Sequence, residues 1–150
     1  MKVFKIILLI MLLVFAGIQF IPADRNQSDI VPAYDLMEVY NVPEKVEVIF
    51  KTSCYDCHSN NTAYPWYNKI QPISWIMEGH IKKGKSELNF SEFGSYSERR
   101  KKSKFKSILS QVKDDEMPLP SYLLMHRNAK LSENKKKAIE DWINKMLEDL

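Results

Sequence analysis

The hydrophobic pattern divides the chain into one block that is apolar on every side and a longer region where apolar positions recur at helical spacing. From Ile6 to Ile21 the only clearly polar residue is Gln19, and Lys2 and Lys5 precede or flank the run. Counted from Val3 to Ile21, with Lys5 snorkelling to the interface, it holds nineteen residues. At about 1.5 Å per residue that length crosses a hydrocarbon layer of about 30 Å. Residues 1–23 are therefore expected to be a retained membrane anchor. A cleaved signal sequence is the rival, with a cut after Ala16 or Ala23. The first cut would leave "GIQFIP" on the mature end and the second has Pro22 beside it, so retention is favoured. Lysines on the amino-terminal side alone place the rest outside the cytoplasm by the positive-inside rule.

Residues 24–41 are mixed and polar, with Pro22 and Pro32 as stops, and read as a tether. A domain is expected over 42–150. Pro43 suits a first helical position, and Val46, Ile49 and Phe50 share a face of the helix that leads to Cys54. "NNTAYPWYNKIQP" reads as a loop, "ISWIMEGHIKKGK" as a short helix ending near Gly84, and "NFSEFGS" as a turn. Ser97 can cap a helix with Phe105, Ile108, Leu109 and Val112 on one face. Pro118 and Pro120 predict that "DDEMPLPSY" is not helical. Ser132 can cap a last helix carrying Ala138, Ile139, Trp142, Ile143, Met146 and Leu147 on one stripe. No strand and no repeat is predicted, so the fold class is all-α.

Composition changes little. The chain has 150 residues, 45% hydrophobic and 27% charged, as in an ordinary globular protein of one domain plus a short extra element. Beyond the two leader lysines the balance is nearly neutral, which does not point to nucleic acid as a partner. Within "RRKKSKFK", Arg99 to Lys106, six cations fall in eight residues. Such a run is usually a solvated helix face; the other reading is a docking patch for an acidic redox protein or anionic lipid.

Both cysteines of the chain lie in "KTSCYDCHSNN". Cys54, Cys57 and His58 form C-x-x-C-H, whose spacing lets two thiols bond the two vinyl groups of one porphyrin while the next residue ligates iron. Three other readings compete. A thioredoxin-like dithiol needs its thiol at the start of a helix that follows a strand, whereas here a helix comes first. Zinc would have to recruit His80 or His126. A disulfide across two residues would be strained and would hold little together.

A haem with six ligands needs a second axial group. Met117, in the non-helical strap "EMPLP", is the first choice, because soft sulfur suits iron in an apolar pocket and Met/His ligation suits an electron carrier. His80 and His126 are the alternatives, with His126 also suited to bonding a propionate. Met77, Met125 and an open position complete the set. Tyr64, Trp66, Tyr67 and Trp75 follow the motif closely and could wall a porphyrin; as ordinary core they would look the same.

The order of these motifs broadly resembles a class I cytochrome c. More closely the chain is similar to a bacterial family, the haem-binding domain, whose members carry C-x-x-C-H-S-N, Y-P-W-Y, L-N-F-S-E and E-M-P-L-P boxes in this order. Here they are Cys54 to Asn60, Tyr64 to Tyr67, Leu88 to Glu92 and Glu116 to Pro120, followed by "HRNAKLS" from His126. The resemblance implies covalent c-type haem in an exported or membrane-anchored protein. Together these readings lead us to expect a cytochrome c-like helical domain around one covalently attached haem, preceded by a transmembrane helix. It would carry single electrons to unidentified protein partners at the periplasmic side of a bacterial cytoplasmic membrane, with no catalysis required. A haem sensor or peroxidase-like enzyme with an open distal site is the rival reading.

Overall fold

The helical spacing of the apolar residues is realised throughout. In a computed structural model, which describes residues 1–28 and 30–150, every regular element is an α-helix or a short 3-10 turn, with no strand among the described residues. The α-helices are α1 (Lys2–Ile18), α2 (Leu36–Val39), α3 (Glu44–Ser53), α4 (Tyr55–His58), α5 (Ile73–Glu87), α6 (Glu98–Lys113), α7 (Pro120–Met125) and α8 (Glu133–Asp149). The 3-10 turns are Trp66–Lys69, Phe90–Ser95 and Arg127–Ala129.

The core forms where the apolar faces of α3, α6 and α8 meet, with α8 packed against both of the others. Phe50 and Phe105 are fully buried, and each ring lies 5.7 Å from Trp142, the large side chain at the middle of α8. Phe90 and Phe93 of the second 3-10 turn close the cluster at 5.4 Å from Phe50 and 4.9 Å from Phe105. Burying one such side chain fully stabilises the fold by about 1.5–3 kcal/mol. This aromatic cluster fixes the end of α3, and so fixes where Cys54 begins.

Several local expectations change once packing is taken into account. Pro43 stands one position earlier than expected, at the N-cap of α3. Ser132 occupies the N-cap of α8, but its side chain makes no capping bond. The region read as a tether contributes to the core: Leu36 is fully buried and Asp35 caps α2 by accepting the Met37 N–H at 3.0 Å. Helix α5 runs past Gly84 to Glu87, because Gly84 is a contact point rather than a stop. A Cβ there would lie 2.7 Å from the Cys57 carbonyl oxygen. Helix α7 starts at Pro120 inside the stretch read as non-helical. A proline at the first helical position needs no N–H partner and has the right φ already.

The first helix is shorter than its apolar run. α1 holds 17 residues and buries none of them. Among the described residues no helix is long and apolar enough to cross a membrane. The helix ends at Ile18 because Pro22 disfavours helical backbone at Ile21, and because Gln19 turns to the domain, where its Oε1 accepts the Gln71 N–H at 3.0 Å.

Candidate functional site

Cys54 is the hinge between two helices. Its backbone, at φ −130° and ψ −42°, ends α3 and opens the single turn α4. Its N–H donates to the Phe50 carbonyl at 2.9 Å, and its own carbonyl accepts the N–H groups of Cys57 (3.2 Å) and His58 (3.0 Å). Both thiols are free. Burial pushes Cys54 up to about 12, with the neighbouring Cys57 adding to the shift, and burial followed by the Asp56 charge pushes Cys57 up to about 11. A dithiol catalyst needs the opposite, a thiol lowered towards neutrality.

The imidazole of His58 is held by the end of α5. Its Nδ1 lies 3.0 Å from the Leu88 carbonyl oxygen. A carbonyl can only accept, so Nδ1 carries the proton and Nε2 keeps its lone pair, the arrangement that presents an imidazole to a metal. Burial holds the ring below the ordinary histidine range, against the opposing pull of the Leu88 and Gly84 carbonyls, so it is neutral and a competent donor. Gly84 serves the same end, since the space where its Cβ would be lets α5 lie directly on the Cys57 backbone.

The loop after the motif is fastened at every few residues. Asp56, between the two cysteines, accepts the Ala63 N–H at 3.1 Å on Oδ1 and the Tyr122 hydroxyl at 2.6 Å on Oδ2. Its carbonyl accepts the Thr62 hydroxyl at 2.6 Å. Asn26, from the supposed tether, donates to the Ser59 carbonyl (2.8 Å) and Thr62 Oγ1 (2.9 Å), and its N–H donates to the Tyr64 hydroxyl (2.8 Å). Asn60 Oδ1 accepts from Asn89 Nδ2 at 2.9 Å. On the other side of the turn, Asp35 is almost completely buried and accepts the Tyr55 hydroxyl at 2.7 Å.

The remaining residues singled out from sequence separate into two groups. Tyr67 and His126 come together beside the motif: His126 stacks on Tyr122 at 4.1 Å and 11°, and the Tyr67 hydroxyl reaches His126 Nε2 at 3.5 Å. Tyr122 had not been singled out. Burial and the Asp56 carboxylate raise its phenol well above the ordinary range, so it remains a donor. Its place four residues before His126 on a helix opened by Pro120 is the signal in the sequence that could have found it. His80, by contrast, is exposed on α5, and Trp66 is 72% exposed on its 3-10 turn. Tyr64 is occupied by Asn26 and by the Arg25 guanidinium 5.5 Å from its ring. Trp75 and Met77 are half-buried on α5, and Met125 is exposed. Met117 is half-buried, and its backbone N–H donates to the Gln111 carbonyl at 3.1 Å, which folds the strap back on the end of α6.

Two reduced thiols on one turn, beside a neutral imidazole with a free Nε2, form a donor set that fits a haem. Among the described residues no group of three or more His, Cys, Asp or Glu could hold a metal ion, so the arrangement does not favour zinc. Neither the curated proteins nor the solved structures contain a match to the chain. The family model described as "Haem-binding domain" matches residues 13–145, nearly the whole sequence and all of the site, and the chain belongs to that family.

Proposed function

We propose that this protein is a membrane-anchored c-type haem protein that carries single electrons. The observation that carries the reading is the His58–Leu88 hydrogen bond, which aims a neutral imidazole nitrogen away from the protein backbone on the turn that bears both free cysteines. Cys54 and Cys57 would hold the porphyrin through two thioethers, and His58 would bind the proximal face of the iron. Met117 is the proposed distal ligand, with His80 and His126 as alternatives. Haem held there supplies a one-electron iron couple. The chain's own residues position and shield it: the Asp56–Tyr122 bond and the Asn26 clamp hold the loop, and Gly84 seats α5 against it. The all-round apolar α1 is proposed to enter a bacterial cytoplasmic membrane, with the domain on the periplasmic side. The partners are proposed to be redox proteins, with the cationic face of α6 available to acidic ones.

A second reading is a small haem enzyme or gas sensor, favoured by one contact. His126 and Tyr67 form a hydrogen-bonding pair that could act as acid and base beside an open distal position. Expression with c-type maturation, followed by oxidised and reduced spectra of wild type, Met117→Ala, His80→Ala and His126→Ala, separates the two. The carrier reading predicts that only Met117→Ala loses the low-spin, sulfur-ligated signature. Rapid CO binding by the unmutated reduced protein would instead support the enzyme or sensor.

A further inference from the structure

Five exposed apolar side chains gather where the first helix joins the domain. Gln19, at the end of α1, accepts the Gln71 N–H at 3.0 Å and donates to the Gln71 carbonyl at 3.3 Å. The side chain of Gln71, itself buried, donates to the Ile21 carbonyl at 2.9 Å. These three bonds bring Phe20 and Ile21 to the start of α5, where Ile73 and Ile76 lie exposed. Trp66 stands on the 3-10 turn packed against the same helix. The five are 87%, 54%, 40%, 55% and 72% exposed in the order Phe20, Ile21, Ile73, Ile76 and Trp66. The chain beyond has no freedom to swing away, because Asp24 pairs with Lys82 at 3.2 Å and Asn26 is clamped to the loop after the cysteines.

The length of α1 says what would cover this corner. Seventeen residues rise about 25 Å, roughly 5 Å less than a hydrocarbon layer of about 30 Å. A span that short is met by thinning of the bilayer and by drawing flanking groups into it. The flanking groups here are Phe20 and Ile21, and the Gln19–Gln71 pair ties them to the domain. Tryptophan favours the interface, and Lys69, exposed on the same turn as Trp66, suits anionic headgroups.

We propose that the corner made by Phe20, Ile21, Trp66, Ile73 and Ile76 sits in the headgroup–acyl boundary of a lipid bilayer, completing the crossing that α1 begins and fixing the orientation of the domain. The proposal rests on the membrane reading of α1, and it adds that the domain itself touches lipid. A domain on a loose tether would sample all orientations; one seated at this corner keeps the Cys54–His58 turn at one height above the membrane.

The test places the full chain in phosphatidylcholine/phosphatidylglycerol vesicles, washes them with alkaline carbonate, and maps hydroxyl-radical oxidation by mass spectrometry. Trp66 and Ile76 are compared with Tyr34 and Val48, which are similarly exposed at 60% and 57% but lie elsewhere on the domain. After correction for intrinsic reactivity, Trp66 and Ile76 are expected to oxidise several-fold more slowly than the reference pair. Equal oxidation on carbonate-resistant chain overturns the proposal while leaving the anchor intact. Chain removed by carbonate overturns the membrane reading and the proposal with it. Protection that vanishes when the protein is diluted in lipid identifies a second copy of the chain as the covering surface, and also overturns it.

Discussion

Alanine placed at two glycines of the same helix should have opposite effects, and the difference isolates the contact that seats α5 on the haem motif. Gly79 and Gly84 both lie inside α5. An alanine in a helix interior is favoured over glycine by about 1 kcal/mol, partly through the unfolded chain, and this gain is common to both sites. At Gly79 an added Cβ meets nothing within 4 Å, so Gly79→Ala should stabilise the protein by about that amount. At Gly84 the Cβ would stand 2.7 Å from the Cys57 carbonyl oxygen and 3.4 Å from the Cys57 carbonyl carbon, and a backbone group cannot rotate aside as a side-chain end can. Overpacking of this kind costs about 1–3 kcal/mol, so Gly84→Ala should come out between neutral and about 2 kcal/mol destabilised. The propensity gain cancels between the variants, leaving a gap of about 1–3 kcal/mol that measures the clash alone. Urea denaturation followed by far-ultraviolet circular dichroism, with both variants in one background, reads the gap directly. The Soret band should shift or broaden in Gly84→Ala only, because the displaced backbone belongs to Cys57. Equal stabilisation by the two alanines would refute the close approach of α4 and α5.

Two other perturbations bear on the same turn. Tyr122→Phe removes the 2.6 Å bond to Asp56 and should destabilise the domain by about 1–2 kcal/mol, with faster hydrogen exchange at Thr62 and Ala63 as the local mark of a loosened loop. Before haem is attached, Cys57 at about 11 should be about 1% as thiolate-rich at pH 8 as a thiol near 9, so iodoacetamide should label it roughly 100-fold more slowly in the folded protein than in urea. Because the fold raises both thiols, their contribution to stability is full below pH 9 and is lost as pH rises towards 11 and 12. Equal labelling rates in the folded and urea-unfolded protein would count against buried, neutral cysteines.

The sequence made the large apolar faces and the motif legible, and hid the contacts that depend on where distant segments meet. Phe105, Ile108 and Val112, and likewise Ile139, Trp142 and Ile143, lie on the faces that helical spacing predicts, because burial of these side chains dominates the fold. Gly84 looked like a stop signal because glycine carries two meanings, and only the proximity of Cys57 selects the second. Asn26, Asp35 and Gln71 were not singled out at all. Each is a polar residue whose value lies in one long-range partner set, Ser59 and Thr62 for the first, Tyr55 for the second, and the end of α1 for the third. Pro120 was read correctly as a breaker of preceding structure, but its fitness to start a helix determined what followed it.

The central claim is that Cys54 and Cys57 hold haem covalently. Intact-mass measurement after acid–acetone extraction, on protein expressed with c-type maturation, tests it most directly. The wild type should retain the added mass of one haem, each of Cys54→Ser and Cys57→Ser should retain less of it, and the double variant should retain none. A wild-type chain that returns to its apo mass on extraction, or a double variant that still carries covalent haem, would contradict the account.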